Sequence, residues 1–295
     1  MMPRPKLNLR LSQLKNRSSL VLLILATLGL SGCAFKKIIF DRLDWVVMYQ
    51  IDSYLDLDKN QKLKLKPAVT EAISWLKREK VPGAIATIEK LEEAARRKTY
   101  DQTVNSSFTA QIDSIRVDLL KKYEAPAVEL LLSLTSEQID HLAKKMNKSN
   151  EEIEDILKEK DLSDYDDVLK RQKKTLVEYY GDLTPAQNDS FFTTMRLTRD
   201  KMELRLKERK RVQAFIVETL RSKDKTRITT LIQTFRDHGE VWQDKEYVDY
   251  RQVAEKRWEE FLVSFHKSLS DAQWSHLQSK LMETRMDLLR MIGRE

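Results

Sequence analysis

The sequence predicts an all-α protein, an irregular multi-helix bundle of long antiparallel helices without a β-sheet. Charged residues make up 34% of the chain, whereas only 6 glycines and 6 prolines occur in 295 residues, a composition that favours long helices. No segment alternates convincingly between apolar and polar residues, and no Asn-Gly or Asp-Gly pair marks a hairpin turn. Helices joined by short polar turns are therefore the expected architecture.

Small polar caps, glycines and prolines divide the chain into helices. The first helix is predicted from an apolar face near the start, and the second from a cap at Asp58, with a kink at Pro67 and an end before Pro82. Later breaks are expected near Pro126 and after Gly181. The predicted helices span residues 36–54, 58–81, 83–98, 102–134, 135–148, 149–160, 163–180, 184–222, 224–237, 244–267 and 270–292.

The N-terminal residues resemble a bacterial lipoprotein signal. Basic residues without an acid precede a short apolar run, and Leu30, Ser31 and Gly32 lead into Cys33, the single cysteine of the chain. The apolar run would span roughly half of the ~30 Å hydrocarbon core, which favours a cleaved signal over an uncleaved transmembrane helix. We predict that residues 1–32 are removed and that Cys33 receives diacylglycerol and an N-acyl chain, with no other cofactor.

This lipid anchor predicts where the protein lies. Ala34, rather than aspartate, follows the cysteine and favours the periplasmic face of the outer membrane over retention in the inner membrane. The membrane is then one partner, and another envelope protein is the second partner that we expect. Most of the net charge of +7 lies in the leader, so the remaining chain is nearly neutral and nucleic acid is not an expected partner.

The rest of the chain is predicted to form two helical regions, residues 33–162 and 163–295. Polar turns that cluster between residues 163 and 183 suggest the boundary. A single continuous helical domain over residues 36–295 is the alternative.

A short pattern occurs four times, in which leucine precedes a small polar residue and glutamine follows that residue by three positions. The small polar residue is expected to cap a helix, and the glutamine to bond back to the backbone N–H of the cap, which is a capping box. The spacings between copies are too irregular for a solenoid repeat. The pairs of cap and glutamine are Asp58 and Gln61, Thr135 and Gln138, Thr184 and Gln187, and Ser270 and Gln273.

The repeated pattern resembles that of periplasmic stress chaperones of the Spy and CpxP type, which are cradle-shaped helical dimers about half as long. A closer resemblance is to an uncharacterised group of proteobacterial lipoproteins, whose mature part opens with Tyr-x-x-Leu-Asp-Trp before Leu-Thr-x-x-Gln. In this chain the opening consists of Phe40, Leu43, Asp44 and Trp45, and Asp58 replaces the threonine. The resemblance implies a helical envelope protein and brings no known activity.

Motifs of recognisable chemistry are absent from the sequence. Asp56, Asp58 and Asn60 begin like a calcium-binding loop, but Gln61 and Pro67 stand where glycine and glutamate are required. The four histidines lack metal-ligand spacing, and no glycine-rich phosphate loop or Gly-x-Ser-x-Gly motif occurs. We therefore predict no catalytic, cofactor-binding or metal-binding residues, and a protein that is not an enzyme.

Two segments admit a functional interpretation beside a structural one. The basic stretch from Arg196 to Arg211 contains interspersed acids, which favours a solvated helix face over a cationic patch for lipid or an acidic partner. The aromatic residues of the C-terminal hairpin favour a core stripe, although an exposed part would bind apolar segments of a client. These aromatic residues are Trp242, Tyr247, Tyr250, Trp258, Phe261, Phe265 and Trp274.

Three functions remain open from the sequence. We favour a non-catalytic, lipid-tethered scaffold that binds another envelope component. The alternatives are a chaperone-like binder of envelope or outer-membrane proteins and an enzyme that acts on envelope polymer or lipid. A concave apolar and basic surface would favour the chaperone, converging carboxylates in a deep cleft the enzyme, and a flat apolar patch the scaffold.

Overall fold

The computed structural model describes residues 42–99, 102–158, 163–197, 202–237 and 243–294, and all regular structure within these ranges is helical. The predicted all-α class is confirmed. In chain order the helices are α1 (Leu43–Leu55), α2 (Lys59–Trp75), a π-helical turn (Leu76–Lys80), α3 (Val81–Arg96), α4 (Gln102–Lys122), α5 (Glu124–Ser133), α6 (Ser136–Lys158), α7 (Ser163–Tyr180), α8 (Pro185–Arg196), α9 (Met202–Arg221), α10 (Lys225–Asp237), α11 (Lys245–Lys267) and α12 (Asp271–Met291).

The helix end that the sequence predicted before Pro82 is absent. A π-helical turn lies there instead, and the helix continues from α2 into α3. The backbone N–H of Val81 donates to the carbonyl of Leu76 in this wider turn. Pro82, which has no backbone N–H to donate, then falls in the first turn of α3. Gly83 lies close to α4, because a Cβ at this position would meet the side-chain amide of Gln111.

The predicted helix start at Ser149 is wrong, because α6 runs unbroken from Ser136 to Lys158. The Ser149 hydroxyl accepts a hydrogen bond from Nη2 of Arg209 at 2.9 Å, and Nδ2 of Asn150 donates to Oε1 of Gln213 at 2.7 Å. Both partners lie on α9. These small polar side chains therefore contact a neighbouring helix and do not cap a new one.

The long helix predicted over residues 184–222 is divided in the structure, since α8 ends at Arg196 and α9 begins at Met202. No glycine or proline marks this division, so the sequence offers no local signal for it. The two helices have mostly different neighbours: α8 packs against α7 and α11, whereas α9 packs against α6, α10 and α11. The expected ends at Gly181 and Gly293 are present, and both glycines have positive φ angles, of 73° and 68°.

Three hydrophobic clusters form the core. The first joins the beginning of α1 to α3 and α12, the second joins α1, α2, α5 and α6 to α9 and α10, and the third joins α7 and α8 to α11. The first two clusters draw residues from both sides of the predicted boundary between residues 162 and 163. The division into two regions remains a prediction.

Candidate functional site: paired helix starts and an apolar cavity

Each of the four leucine-cap-glutamine motifs contains both hydrogen bonds of a capping box. The side-chain oxygen of the cap accepts from the backbone N–H of the glutamine, at 2.8 Å for Asp58 and at 3.2–3.3 Å in the other copies. Oε1 of the glutamine accepts in turn from the backbone N–H of the cap, at 2.9–3.0 Å. Two otherwise unpaired N–H groups are thus satisfied at every one of these helix starts.

The glutamine side chains also join the first two boxes to each other. Nε2 of Gln61 donates to Oε1 of Gln138 at 3.0 Å, and Nε2 of Gln138 donates to Oε1 of Gln61 at 2.7 Å. Each nitrogen has a further acceptor, the carbonyl of Ser133 for Gln61 and the carbonyl of Asp56 for Gln138, at 3.0 and 2.7 Å. Both glutamines are buried, and every polar atom of the two amides has a partner.

The third and fourth boxes repeat this arrangement. Nε2 of Gln187 donates to Oε1 of Gln273 at 3.1 Å, and the reverse bond measures 2.8 Å. The carbonyls of Ser268 and Asp182 accept the remaining bonds at 3.1 and 3.0 Å. In both pairs, each glutamine nitrogen donates to the carbonyl of the residue two positions before the cap of the other box. The hydrogen bonds of the two glutamine pairs are therefore equivalent.

These pairs give the repeated motif a role in packing helix starts against each other. From the sequence, the glutamine was expected to bond only to its own cap, and the bonds of its amide nitrogen were not predicted. The sequence does indicate that each amide nitrogen needs a further acceptor, since a capping box leaves its two N–H donors unused, but it does not identify that acceptor. Because the glutamines are buried, they offer no exposed surface to a client.

The residues of the predicted opening motif divide between the core and the surface. Leu43 is buried in the first cluster, Asp44 lies in the first turn of α1, and Trp45 is exposed. Several positions named in the sequence analysis lie outside the described residues: Leu30, Ser31, Gly32, Cys33, Ala34, Phe40 and Trp242.

An apolar cavity of about 1180 Å³ lies between α1, α2, α4, α5, α10 and α11. Part of its wall belongs to the second cluster, including Val47, Leu65 and Val69. The wall along α4 includes Thr109 and Ala110, which are exposed, so the cavity is open to solvent on this side. Sites for drug-sized ligands usually measure about 300–1,000 Å³, and this cavity has room for a longer apolar molecule.

The cavity wall is mainly aliphatic. Leucine, isoleucine, valine and alanine supply most of it, and its aromatic residues are Tyr123 and Trp258. No methionine is among the described residues that line it. Surfaces that accept many protein clients are often rich in methionine, and protein interfaces centre on tryptophan, tyrosine and arginine. This wall instead matches the chemistry of a hydrocarbon chain.

Charged side chains in the wall are largely paired within the protein. Nε of Arg116 donates to Oδ1 of Asp113 at 3.1 Å, and its Nη1 donates to the carbonyl of Arg236 at 3.1 Å. Glu255 forms an ion pair with Arg251 at 3.4 Å. The cavity is therefore concave and apolar, but its described residues do not form the basic surface that was expected of a chaperone.

Two buried polar atoms in the wall have no hydrogen-bond partner among the described residues. They are the hydroxyl oxygen of Tyr123 and Oε1 of Glu259. Leaving a buried polar atom unpaired costs about 1–3 kcal/mol.

Much of the basic stretch at the end of α8 and in α9 is paired with other parts of the chain. Arg209 donates to Ser149, Arg211 forms two bonds to the buried carboxylate of Glu208 at 2.9 and 2.7 Å, and Lys210 pairs with a glutamate of α6. These contacts agree with the salt-bridged helix face that the interspersed acids favoured. These internal contacts reduce the positive charge that the basic stretch offers to lipid or to an acidic partner.

The C-terminal aromatic stripe is mostly core. Phe261 and Phe265 are buried in the third cluster, and Trp274 is buried in the first. Trp258 stacks on Phe261, with ring centroids 5.0 Å apart, and also lines the cavity. Trp258 is therefore the residue of this stripe that links core packing to the candidate site.

His266 is a buried histidine whose surroundings favour its neutral form. Its Nε2 lies 2.9 Å from the hydroxyl of Tyr180, and its Nδ1 lies 2.7 Å from the carbonyl of Leu262. Burial lowers the pKa of His266 below its ordinary value of 6.5, and the hydrogen bond to Leu262 opposes this shift. The unfolded chain therefore binds this proton at a higher pH than the folded chain does.

We expect the free energy of unfolding to fall as pH drops below 6.5, in part because of His266. The contribution is complete above the unfolded pKa and decreases towards the lower folded pKa. Urea unfolding of the wild type and of His266→Phe at about pH 7.5 and about pH 5 would measure it. The variant should lose less stability on acidification than the wild type does. An equal loss in His266→Phe would contradict the assignment.

The described residues contain no group of three or more histidine, cysteine, aspartate or glutamate side chains arranged to hold a metal ion. Among the helices described, none is both long and apolar enough to cross a membrane.

A family model described as a family of unknown function, DUF6279, matches residues 53–251. This range contains the first three capping boxes and most of the cavity wall, whereas the fourth box and α12 follow it. Comparison with curated proteins and with solved structures gave no match.

Proposed function

The chain belongs to the DUF6279 family, whose function is unknown, and we propose that it is a lipid-anchored, non-catalytic binding protein of the bacterial envelope. Its ligand is an acyl chain carried by another envelope component. The observation on which this proposal rests is the open, aliphatic cavity of about 1180 Å³ between α1, α2, α4, α5, α10 and α11.

The anchoring part of the proposal comes from the residues before and at Cys33. Leu30, Ser31 and Gly32 have the composition of a lipoprotein cleavage site, and Ala34 favours the periplasmic face of the outer membrane. Two or more acyl chains on one cysteine hold a protein durably, whereas a single chain binds only marginally. An envelope lipid or a second lipoprotein would then be within reach of the cavity.

The wall chemistry supports an acyl chain over a protein segment. Each buried methylene group stabilises a complex by ~0.8 kcal/mol, and an aliphatic wall provides this stabilisation without specific hydrogen bonds. The proposal thereby keeps the binding role that the sequence favours and assigns it to the acylated part of the partner.

Binding of a fatty acid is the direct test. The mature chain carrying Cys33→Ser, which lacks acyl chains of its own, should bind dansyl-undecanoic acid with a rise in fluorescence. Ala72→Trp places an indole in the cavity wall and should weaken binding about tenfold or more. Losing contact with two methylene groups, at ~0.8 kcal/mol each, already exceeds the ~1.4 kcal/mol of a tenfold change.

Ala86→Trp is the matched control, because Ala86 is an exposed residue of α3 that does not line the cavity. It should bind the probe as the parent does. Displacement by palmitate, by phosphatidylglycerol and by a diacylated lipopeptide would identify the source of the acyl chain. No binding, or equal binding by Ala72→Trp and the parent, would refute the cavity as the site.

A further inference from the structure

We infer that Trp45 and Tyr49, on the exposed face of α1, form a contact with the lipid surface beside the proposed anchor. The two side chains are 63% and 55% exposed, in contrast to Leu43 and Val47 on the same helix, which are buried in the core. Trp45 and Tyr49 are four residues apart, so they lie on one face of the helix. Their rings stack with centroids 5.6 Å apart and planes inclined by 18°.

The chemistry of this pair fits the boundary between headgroups and acyl chains. Tryptophan and tyrosine combine an apolar ring with a polar N–H or O–H group, and both are enriched where membrane meets water. Single exposed hydrophobic residues are normal on soluble proteins and need no explanation. Two large rings stacked in one exposed patch are a different case, because they present a continuous apolar surface whose arrangement is already fixed.

The position of the pair in the chain selects the membrane as its partner. Residues 34–42 separate Cys33 from the start of α1, and a segment of this length spans at most about 30 Å. If the anchor holds Cys33 at the bilayer, Trp45 lies within a few tens of ångströms of the same surface. The choice of the membrane as partner rests on the proposed anchoring. The exposure and stacking of the two rings are independent of that anchoring.

Vesicle binding by the protein without its anchor tests the inference. The mature chain carrying Cys33→Ser should co-sediment with vesicles of phosphatidylethanolamine and phosphatidylglycerol. Trp45→Ala combined with Tyr49→Ala should lower the partition coefficient on the order of tenfold, since each aromatic ring can bury a large apolar area. Leu63→Ala combined with Met282→Ala removes two other exposed hydrophobic side chains and should leave binding unchanged.

The outcomes separate this contact from the cavity and from the anchor. The variant that combines Trp45→Ala with Tyr49→Ala should bind dansyl-undecanoic acid as the parent does, because neither residue lines the cavity. The vesicle assay does not depend on acylation of Cys33. Absence of vesicle binding, or equal binding by the aromatic double variant, would overturn the inference. A dimer in solution that the double variant abolishes would do so as well, because it would make a second copy of the chain the partner.

Discussion

Replacing Gln138 with leucine is expected to lower the free energy of unfolding by about 2–5 kcal/mol. The substitution preserves much of the side-chain volume but removes the acceptor for the backbone N–H of Thr135 and the bonds to Gln61 and to the carbonyl of Asp56. Each buried polar group left without a partner costs about 1–3 kcal/mol. The loss is large against a typical total stability of about 5–15 kcal/mol, and urea unfolding would measure it.

A double-mutant cycle with Gln61→Leu separates the glutamine pair from the individual caps. Each single variant strands one amide beside an apolar side chain, whereas the double variant removes both amides. The double variant should therefore lose less stability than the sum of the two single losses. Gln252→Leu, at an exposed position of α11, controls for the substitution itself and should have little effect. Single losses below about 0.5 kcal/mol, or strict additivity, would contradict the pairing.

The same cycle at Gln187 and Gln273 should give a similar result, because its hydrogen bonds correspond to those of the first pair. Similar coupling energies at the two pairs would mean that both helix junctions are stabilised by the same device. A coupling at one pair alone would show that the surrounding packing, rather than the amides, determines the energy.

Local signals explain what the sequence predicts well. Helix starts at Asp58, Thr184 and Ser270 depend on atoms within three residues of the cap, and the end at Gly181 depends on one positive φ angle. These features are readable without knowing the fold. The all-α class follows from composition and from the absence of strand patterns in the same way.

Features decided by distant residues were not predictable. Gln61 and Gln138 lie 77 residues apart in the chain, so their amide pairing requires the folded arrangement. Ser149 has the chemistry of a helix cap, but its hydroxyl bonds to Arg209 on another helix, and tertiary contact overrides the local preference. The cavity depends on six separate helices and has no sequence signature at all.

Replacing Cys33 with alanine is expected to abolish labelling of the protein by radioactive palmitate in growing cells. The chain has no other cysteine, so no alternative thiol can accept the diacylglycerol. The precursor should remain uncleaved by the lipoprotein signal peptidase. After cleavage of the wild type, by contrast, the anchor should keep the protein in the membrane fraction. Autoradiography of the immunoprecipitated protein measures the label.

Two further variants make the Cys33 prediction specific. Ser31→Ala retains a small residue before the cleavage site and should stay labelled and processed. Ala34→Asp should also stay labelled but move from the outer to the inner membrane fraction, since the residue after the cysteine biases sorting. Continued labelling of Cys33→Ala would refute the anchor and would leave the cavity proposal standing, because the dansyl-undecanoic acid assay uses a chain without acyl groups. The location of the protein and the chemistry of its ligand are thus separate proposals, and each is tested by its own experiment.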